Sequence, residues 1–399
     1  MNKILIAVTG GIAAYKACDL VSRLKKNGDD VKVIMTQHAS EFVSPITFEA
    51  LSGHHVYLDT FERSPDASIH HIDLAKWADI FVVVPATANT IAKIANGIAD
   101  DLISSTILAA TCKKIICPAM NTNMYLNKAT QRNLETLKDD NMIIVSPAKG
   151  RLACGDTGVG KLADIDDIFE IILQHAVKRK PLEGKKVIVT AGPTIEPIDP
   201  VRYITNHSSG KMGYAIAKQA KMMGADVILL TGPTHLKPPY GIEVIPFTNA
   251  CMLLDIMKEK MHHADYIIMS AAIGDYRSEE IAEQKIKKQG NHLILNLVKN
   301  PDILQYLGEH KTNHQIICGF AMETENLIEN ATLKLNKKKC HMIVANHLRE
   351  KGAGFKTDTN VATFITHEGL KKMDLMSKEE LSKEILKELI HIKEEKEGC

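Results

Sequence analysis

The sequence predicts an α/β protein that contains two doubly wound domains. Short apolar runs alternate with stretches whose apolar residues recur at helical spacing, a pattern typical of parallel sheets covered by helices. The pattern restarts in the middle of the chain, after a charged segment with proline and glycine at 178–184. With 399 residues, the chain is long enough for each domain to bury its own core.

Composition and charge narrow the classes of function. The chain is 45% hydrophobic and 24% charged with a formal net charge of +1, so no charge excess suggests nucleic acid or a membrane surface as partner. No apolar run approaches the roughly 20 residues that span a bilayer, and the N-terminus lacks a signal-peptide layout. The eight cysteines include no Cys-x-x-Cys pair, which indicates neither a disulfide framework nor a zinc site. We therefore expect a cytoplasmic protein.

The first half opens with a strand, a glycine turn and a helix. Residues 4–8 form the predicted strand, Thr9-Gly10-Gly11 the turn and residues 12–26 the helix. The turn is not the dinucleotide fingerprint, because Ile12 and Tyr15 stand where Gly-x-Gly-x-x-Gly needs glycines. Backbone N–H groups at a helix N-terminus still suit a phosphate, and a mononucleotide such as FMN fits better than NAD.

Two loops follow buried strands in the rest of this half. Pro85–Thr90 is a loop of small residues and hydroxyls that permits close approach of a planar ligand. Pro118–Tyr125 offers a stiff turn, an apolar wall and the amide of Asn121. An ordinary turn followed by an Asn helix cap is the alternative for this second loop. The other predicted elements are strands at 31–35, 80–84, 114–117 and 142–145 and helices at 91–95 and 127–140.

The segment 150–162 carries four glycines around Cys154. Such a segment is mobile or tightly turned, and an exposed free cysteine there is a liability unless it has a purpose. We expect a lid that carries a thiol proton donor, with a plain surface loop as the alternative. The His70-His71 pair alone is more typical of a surface or helix-capping feature than of catalysis.

The second half repeats the opening pattern. A strand at 185–190 leads into the turn Ala191–Thr194 and a long polar segment at 196–211. Ser209-Gly210-Lys211 is not a P-loop, because Thr205 and Met212 replace the first Gly and the final Ser or Thr. The remaining predicted elements are helices at 213–223 and 250–263, a helix start at 299–303 with Asn300 as cap, a basic helix ending at 337–339, a charged helix from 377, and strands at 226–230, 266–269, 316–319, 342–345 and 361–365.

The motifs of the two halves are weak singly, but their joint order and spacing are highly specific. They are Thr9–Ala13, His71-Ile72, Pro85–Thr90, Pro118–Asn121, Ala153–Asp156, Ala191–Thr194, Ile204–Gly210, Ala271-Ala272, Lys285–Lys288, Lys299–Asp302 and Gly319–Ala321. On these motifs, essentially the whole chain resembles the bifunctional bacterial coenzyme A biosynthesis family. In that family, a phosphopantothenoylcysteine decarboxylase is fused to a phosphopantothenate–cysteine ligase.

For residues 1–181, the resemblance implies the flavodoxin-like fold of homo-oligomeric, flavin-containing cysteine decarboxylases. The cysteinyl group would lose a hydride from Cβ to FMN, giving a thioaldehyde that accepts the electrons left by departing CO₂. The resemblance implies that His71 handles the proton in this oxidation, that Asn121 binds the substrate carboxylate and that Cys154 donates the final proton. The implied FMN-binding residues are Gly10, Gly11, Ile12, Thr36, Pro85, Ala86, Thr87, Ala88 and Asn89.

For residues 182–399, the resemblance implies a Rossmann-like, CTP-using ligase. The carboxylate of 4′-phosphopantothenate would become an acyl-cytidylate with loss of pyrophosphate, and the amine of L-cysteine would then displace CMP. This chemistry needs positive charge and Mg²⁺ at the phosphates, although the motifs assign no metal ligand. Lys285 is implied in acyl-cytidylate formation and Asn206 in holding that intermediate. The implied CTP-binding residues are Asp275, Lys285, Pro301, Asp302, Ile303, Phe320, Lys334 and Lys338.

The family further implies a homo-oligomer, with trimeric decarboxylase domains, dimeric ligase domains and hence a dodecamer. Two other classes of protein remain as alternatives. A flavin-binding regulatory protein would share the fold of the first half, but such proteins rely on acidic extensions, and this chain has none. An NAD(P)-dependent reductase would follow from the fold pattern alone, but neither glycine turn carries the dinucleotide fingerprint.

Overall fold

The computed structural model of the chain describes residues 1–62, 69–153, 155–177, 179–288, 292–323, 326–347 and 357–398. The chain divides into two compact units, Met1–Lys178 and Arg179–Cys399. Cys154, the expected proton donor, lies outside the described residues. Within the described part of the chain, no helix combines the length and the apolar character needed to cross a bilayer.

The first unit is built on a parallel sheet. Its elements, in chain order, are β1 (Lys3–Val8), α1 (Ala14–Lys26), β2 (Asp30–Met35), α2 (Gln37–Ser40), α3 (Pro45–Ser52), α4 (His70–Trp77), β3 (Ile80–Ala86), α5 (Ala88–Ala95), α6 (Leu102–Ala109), β4 (Lys113–Pro118), α7 (Thr122–Leu126), α8 (Lys128–Asp139), β5 (Ile143–Ile144), β6 (Ala148–Arg151), β7 (Thr157–Lys161) and α9 (Ile165–Ala176).

The sheet order β2-β1-β3-β4-β5 confirms the flavodoxin-like prediction. All of its strand pairs are parallel, and β3 is buried along its whole length because helices cover both faces. Helix α1 places an apolar stripe on the sheet, with Leu20, Val21 and Leu24 fully buried. The reversal of strand order lies between β1 and β3, where a ligand is expected.

The second unit contains a larger, mixed sheet. Its elements are β8 (Lys186–Ala191), β9 (Ile195–Pro197), β10 (Tyr203–Thr205), α10 (Lys211–Met222), β11 (Asp226–Thr231), β12 (Glu243–Pro246), α11 (Ala250–Lys260) with a 3-10 turn (Met261–His263), β13 (Tyr266–Met269), β14 (Tyr276–Ser278), β15 (Leu297–Lys299), α12 (Ile303–His310), β16 (Ile316–Glu323), α13 (Leu327–Lys337), β17 (Met342–His347), β18 (Thr359–Asn360), β19 (Ala362–Thr366), β20 (Leu370–Lys372), β21 (Met376–Ser377) and α14 (Lys378–Gly398).

This sheet has the order β12-β11-β8-β13-β16-β17-β19-β20. Its first six strands are parallel and follow the Rossmann order, and β19 and β20 add an antiparallel edge. Alternate residues of each strand pack on opposite faces. Val187 and Val189 join the core beneath α10 and α14, whereas Ile188 joins the core beneath α11, α12 and α13. The Rossmann-like prediction is confirmed.

Two local predictions differ from the structure. Asp302, not Asn300, caps α12, since its carboxylate accepts a hydrogen bond from the Gln305 N–H at 3.0 Å. Asn300 is needed elsewhere, because its amide donates to the Gly274 carbonyl at 2.8 Å and ties down the loop after β13. The segment 150–162, expected to be a loop, forms most of the antiparallel hairpin β6–β7.

Candidate active sites

The first unit has a cleft of about 1230 Å³ at the reversal of strand order. Its walls come from the loops after β1, β2, β3 and β4, together with the β6–β7 hairpin. The structure therefore brings together most of the side chains and turns that the sequence assigned to a flavin. Those that line the cleft are Gly10, Gly11, Ile12, Thr36, Thr87, Ala88 and Asn89; Asn121, expected to bind the substrate carboxylate, lines it as well.

Thr9 joins the loops after β1 and β3. Its buried hydroxyl donates to the Pro85 carbonyl at 2.6 Å and accepts from the Thr87 N–H at 3.1 Å. Pro85 and Ala86 belong to buried β3 and are not among the lining residues, so they support the wall from behind. The peptide bond before Pro85 is cis. Two predicted cofactor residues thus shape the cleft without facing it.

The Gly10-Gly11 turn suits a phosphate group. A Cβ at Gly10 would lie 2.4 Å from Cβ of His38, so this position requires glycine. Among the described residues, the N–H groups of Gly10, Ile12 and Ala13 have no hydrogen-bond acceptor, and they precede the first turn of α1. Backbone donors at the start of a long helix are a suitable environment for a phosphate.

Asn121 lies where the loop after β4 meets the β6–β7 hairpin. It caps α7, since its carbonyl oxygen accepts from the Asn123 N–H at 2.8 Å, and its amide nitrogen lies 3.4 Å from an Asp156 carboxylate oxygen. The neighbouring Met120 N–H donates to the Gly160 carbonyl at 2.9 Å. These contacts hold the hairpin against Asn121.

His71 does not line this cleft. It is the second residue of α4, and its buried Nδ1 has no hydrogen-bond partner among the described residues. The adjacent His70 is fully engaged, with Nε2 at 2.8 Å from the Glu62 carbonyl and its ring 4.4 Å from that of Tyr57. Of the pair, His71 is therefore the histidine with an unsatisfied polar atom, although the structure does not bring it to Asn121.

The second unit has a cleft of about 1240 Å³ at the carboxyl ends of β13, β16 and β17. Open parallel sheets bind their ligands at this edge. The predicted residues that line it are Asn206, Asp275, Pro301, Asp302, Ile303, Phe320, Lys334 and Lys338. The ionisable acidic and lysine side chains of the lining are Lys211, Lys299, Lys334, Lys337, Lys338, Lys378, Asp275 and Asp302. Six lysines against two aspartates give a positive cleft that suits a polyphosphate.

Two lysines of α13 and its end are held in position by hydrogen bonds. The Lys338 ammonium contacts the Asp302 carboxylate and lies 3.3 Å from the side-chain carbonyl of Gln305. Burial acts to raise the pKa of Asp302, but the Lys338 ammonium and the α12 cap outweigh it and leave that pKa below its usual range. Lys334 donates to the Phe320 carbonyl at 2.8 Å. Both ammonium groups therefore lie at fixed points of the cleft.

Asn206 links two loops at the cleft. Its amide donates to the Ile273 carbonyl at 3.0 Å, in the loop after β13. The hydroxyl of Thr194, after β8, accepts from the Gly274 N–H at 2.9 Å in the same loop. The loops on both sides of the strand-order reversal are thus joined beside Asn206.

Lys285 is not among the residues that line this cleft. Its neighbour Ile286 is tied to the segment between β9 and β10, with its N–H donating to Asp199 at 3.2 Å and its carbonyl accepting from Arg202 at 2.8 Å. Asp199 also accepts from the backbone N–H groups of Val201 and Arg202, each at 2.8 Å. The Arg202 guanidinium and these backbone donors hold the pKa of Asp199 well below its usual range.

Sequence reasoning missed several residues of this cleft, among them Lys211, Lys378, Asn346 and Asn360. The Lys211 ammonium pairs with Asp358 at 2.7 Å, and burial followed by Lys211 lowers the pKa of Lys378. The buried amides of Asn346 and Asn360 lie 3.2 Å apart. Asn346 carried a usable signal, because it is a polar residue that directly follows the apolar run of β17. Lys378 could not be recognised from the sequence, since it is the first residue of a helix rich in lysine.

The chain matches two family descriptions. Residues 1–177 match the family described as Flavoprotein, and residues 182–392 match the DNA/pantothenate metabolism flavoprotein C-terminal domain.

Named relatives match across nearly the whole chain. The Coenzyme A biosynthesis bifunctional protein CoaBC of Bacillus subtilis is 46% identical, over 97% of this chain and 96% of its own. The protein of the same name from Escherichia coli is 40% identical, over 99% of this chain and 98% of its own. A solved C-terminal domain of Coenzyme A biosynthesis bifunctional protein CoaBC is 40% identical with a TM-score of 0.47, covering 54% of this chain and 99% of that one.

Proposed function

The chain belongs to the family of bifunctional coenzyme A biosynthesis proteins, and we propose that its two clefts carry the two reactions of that family. It is a bifunctional enzyme, a phosphopantothenate–cysteine ligase and a phosphopantothenoylcysteine decarboxylase. We assign the decarboxylase to residues 1–181 and the ligase to residues 182–399. The observation that carries this proposal is the full-length match to relatives of that name, with one cleft in each unit at the strand edge where ligands bind.

The first cleft is proposed to hold FMN. When bound, FMN supplies the hydride acceptor and donor that a simple amino-acid carboxylate needs in order to lose CO₂. The N–H groups around Gly10 and Ile12 would bind its phosphate, and the close packing of Gly10 on His38 keeps that turn in place. The proposed walls of the flavin site are Gly11, Thr36, Thr87, Ala88 and Asn89, with Pro85 and Ala86 behind them.

Three residues are proposed to handle the decarboxylase substrate. Asn121 would bind the substrate carboxylate with its amide, and the helix cap fixes the orientation of that side chain. His71 would hold or move a proton through Nδ1, the buried nitrogen that has no partner among the described residues. Cys154, which lies outside the described residues, would donate the last proton. His71 lies on α4, whereas Asn121 precedes α7, and the Met120–Gly160 hydrogen bond joins the Asn121 loop to the β6–β7 hairpin.

The second cleft is proposed to bind CTP and 4′-phosphopantothenate. Lys334 and Lys338 would neutralise the triphosphate, since their ammonium groups lie at fixed points of the wall. Pro301, Ile303 and Phe320 would contact the nucleoside, and Asn206 would hold the acyl-cytidylate. Lys285 would act on the reacting phosphate, which requires the 279–288 segment to approach the cleft.

Mg²⁺ is proposed to accompany the triphosphate. Two carboxylates line the cleft, but Asp302 is already engaged by Lys338. The Asp275 carboxylate has no partner within the described residues, so it is the carboxylate that suits a hard cation. Octahedral Mg²⁺ commonly keeps several waters and takes one or two carboxylates together with substrate phosphates.

We further propose a cytoplasmic homo-oligomer, with trimeric decarboxylase domains and dimeric ligase domains combined in a dodecamer. In such an assembly, residues that do not line the cleft of their own chain would reach a cleft of a neighbouring subunit. Among the described residues, His71 and Lys285 are assigned to chemistry but do not line the cleft of their own unit. The oligomeric state is measurable by light scattering on the purified protein.

The function is tested by a mass-spectrometric product assay on the purified, FMN-loaded protein. The protein is supplied with 4′-phosphopantothenate, L-cysteine, CTP and Mg²⁺, in parallel with Cys154→Ser and Asn206→Ala variants. We expect phosphopantetheine and CMP from the wild type. The Cys154→Ser variant should stall at an oxidised, decarboxylated species, and the Asn206→Ala variant should form little phosphopantothenoylcysteine.

Other outcomes would contradict specific parts of the proposal. Accumulation of phosphopantothenoylcysteine by the wild type would leave the ligase in place and refute the decarboxylase. Absence of any product with CTP would refute the ligase and favour a flavin-binding regulatory protein. That regulatory alternative has no support from the curated relatives compared above, which carry the bifunctional name over both halves of the chain.

A further inference from the structure

A cluster of hydrogen-bond donors lies at the amino-terminal edge of the second sheet, opposite the CTP cleft. It consists of Lys311, which follows α12, His341, which precedes β17, and Lys396, in the last turn of α14. The Nζ atoms of Lys311 and Lys396 lie 3.5 Å and 3.3 Å from the same atom, Nε2 of His341. None of these residues lines the cleft.

The backbone determines which nitrogen of His341 carries the proton. The Ile317 N–H, in β16, points at Nδ1 of His341 at 3.0 Å, and a backbone N–H always donates. Nδ1 is therefore an acceptor, and the hydrogen of the neutral ring must be on Nε2. Burial, followed by the charges of Lys311 and Lys396, lowers the pKa of His341 to about 3, so the ring is neutral at neutral pH.

The Nε2–H bond and two ammonium groups consequently face one another without an acceptor between them. No carboxylate of the described residues pairs with either lysine. Glu395 is engaged by His391 at 3.1 Å and by Glu368, and Glu397 lies 3.8 Å from Lys393. Two ammonium groups within 3.5 Å of one N–H donor would repel it in an empty site, so this geometry is expected where an anion completes the hydrogen bonding.

The nearby carbonyl groups do not resolve this conflict. The Lys339 carbonyl accepts one hydrogen bond from Lys311 at 2.5 Å, which leaves two further N–H bonds on that ammonium group. The Cys340 carbonyl lies 3.1 Å from Nε2 of His367, which acts as its donor. Burial raises the pKa of the Cys340 thiol to about 12, so that group supplies no negative charge.

We propose that Lys311, His341 and Lys396 form a binding site for a small oxyanion, of the size of inorganic phosphate. Two charge-assisted N–H donors and one neutral N–H donor match the oxygens of such an anion. The site is separate from the CTP cleft, and its existence does not depend on the function proposed for that cleft. The segment Lys338–His341 connects the two, since the Lys338 side chain reaches Asp302 in the cleft.

The site is tested by titrating the FMN-loaded protein with inorganic phosphate at saturating CTP, so that the nucleotide phosphate positions are filled. Ionic strength is kept constant with potassium chloride, and binding is measured by calorimetry. We expect saturable binding that weakens at least roughly fivefold in Lys311→Met and in Lys396→Met, because each removes a charge-assisted donor. Lys383→Met, an exposed position on the same helix with the same change in charge, should bind phosphate like the wild type.

A second variant tests the site without added ligand. Lys396→Glu places a carboxylate beside Lys311 and the Nε2–H of His341, so it should raise the unfolding temperature in phosphate-free buffer relative to Lys383→Glu. It should also remove phosphate binding at this site. The proposal is overturned if phosphate does not bind, if the Lys311→Met and Lys396→Met variants retain full affinity, or if Lys383→Met weakens binding equally.

Discussion

Position 160 requires glycine because the loop that contains Met120 approaches it closely. Its φ is +132°, and a Cβ there would lie 2.3 Å from the carbonyl oxygen of Met120. We expect Gly160→Ala to destabilise the first unit by more than about 3 kcal/mol, because backbone strain and a clash with a carbonyl act together. Gly53→Ala is the matched control, since Gly53 has a φ of +74° and open space around it, and should cost roughly 1–2 kcal/mol.

Calorimetric unfolding of the two variants measures the difference. The hairpin β6–β7 meets the Asn121 loop at Gly160, so a displaced hairpin should also lower decarboxylase turnover in Gly160→Ala. Equal unfolding temperatures for Gly160→Ala and Gly53→Ala would show that the hairpin yields without cost and that its contact with Met120 is not a fixed feature.

Lys338 provides a test of the CTP cleft at the same scale. Lys338→Met removes an ammonium group and leaves the half-buried Asp302 carboxylate facing the triphosphate. We expect KM for CTP to rise at least roughly tenfold, the effect of losing one charge-assisted hydrogen bond to a charged ligand. Steady-state kinetics of CMP release measure it, with the exposed Lys372→Met as control. An unchanged KM would remove Lys338 from the proposed nucleotide site.

Asp199 acts at the scale of the element, because it connects the segment between β9 and β10 to the segment that carries Lys285. Its carboxylate accepts from Arg202 and from the Ile286 N–H at 3.2 Å. We expect Asp199→Asn to lower ligase turnover while the KM for CTP stays close to wild type, since the altered segment lies outside the cleft. The exposed Asp226→Asn is the control. A turnover equal to that of the control would show that the hydrogen bond between Asp199 and Ile286 is not needed for the function of Lys285.

The pH dependence of this tether follows from the direction of the pKa shift. The Arg202 guanidinium and the backbone donors lower the folded-state pKa of Asp199 below its unfolded value of about 4. The stabilisation is therefore complete above the unfolded pKa and is lost as pH falls through the lower folded pKa. Between weakly acidic and neutral pH, ligase turnover should not vary on account of Asp199, and the Asp199→Asn variant should match the wild type in the shape of its profile there.

At this scale, the sequence predicted the helices and strands whose own residues show a clear hydrophobic periodicity. Helix α1 and strand β3 carry clear periodicities, and both were predicted close to their observed bounds. The cap of α12 was misplaced because an Asn-Pro pair resembles a helix start, whereas Asn300 is bonded to Gly274, far away in sequence. The hairpin β6–β7 could not be foreseen, since Gly158 and Gly160 are required by close contacts with Thr122 and Met120, which lie outside the hairpin.

The site residues divide in the same way. Residues at the carboxyl ends of strands, such as Thr87 and Phe320, reach a cleft because the sheet places them there. Lys285 lies in a segment held by Asp199 and Arg202, His71 lies on α4, and neither residue lines the cleft of its own unit. A motif therefore assigned the chemistry of these two residues without giving their location.

At the scale of the whole molecule, each unit has its own sheet, cores and cleft. The first unit has a hydrophobic core around β1 and β3, and the second has one core on each face of its sheet. Since each sheet buries its apolar strands beneath helices of the same unit, neither needs the other to complete its core. The two activities should consequently be separable.

We expect residues 1–181 and residues 182–399 to fold when expressed as separate proteins. The first should retain bound flavin, and the second should make phosphopantothenoylcysteine from CTP, 4′-phosphopantothenate and L-cysteine, with a KM for CTP within a few-fold of the full chain. Absorbance spectra and the product assay measure these outcomes, and cutting the chain within β9 at Glu196, which is buried, is the control. A soluble second fragment without ligase activity would show that its cleft depends on the first unit, since its own core would then be intact.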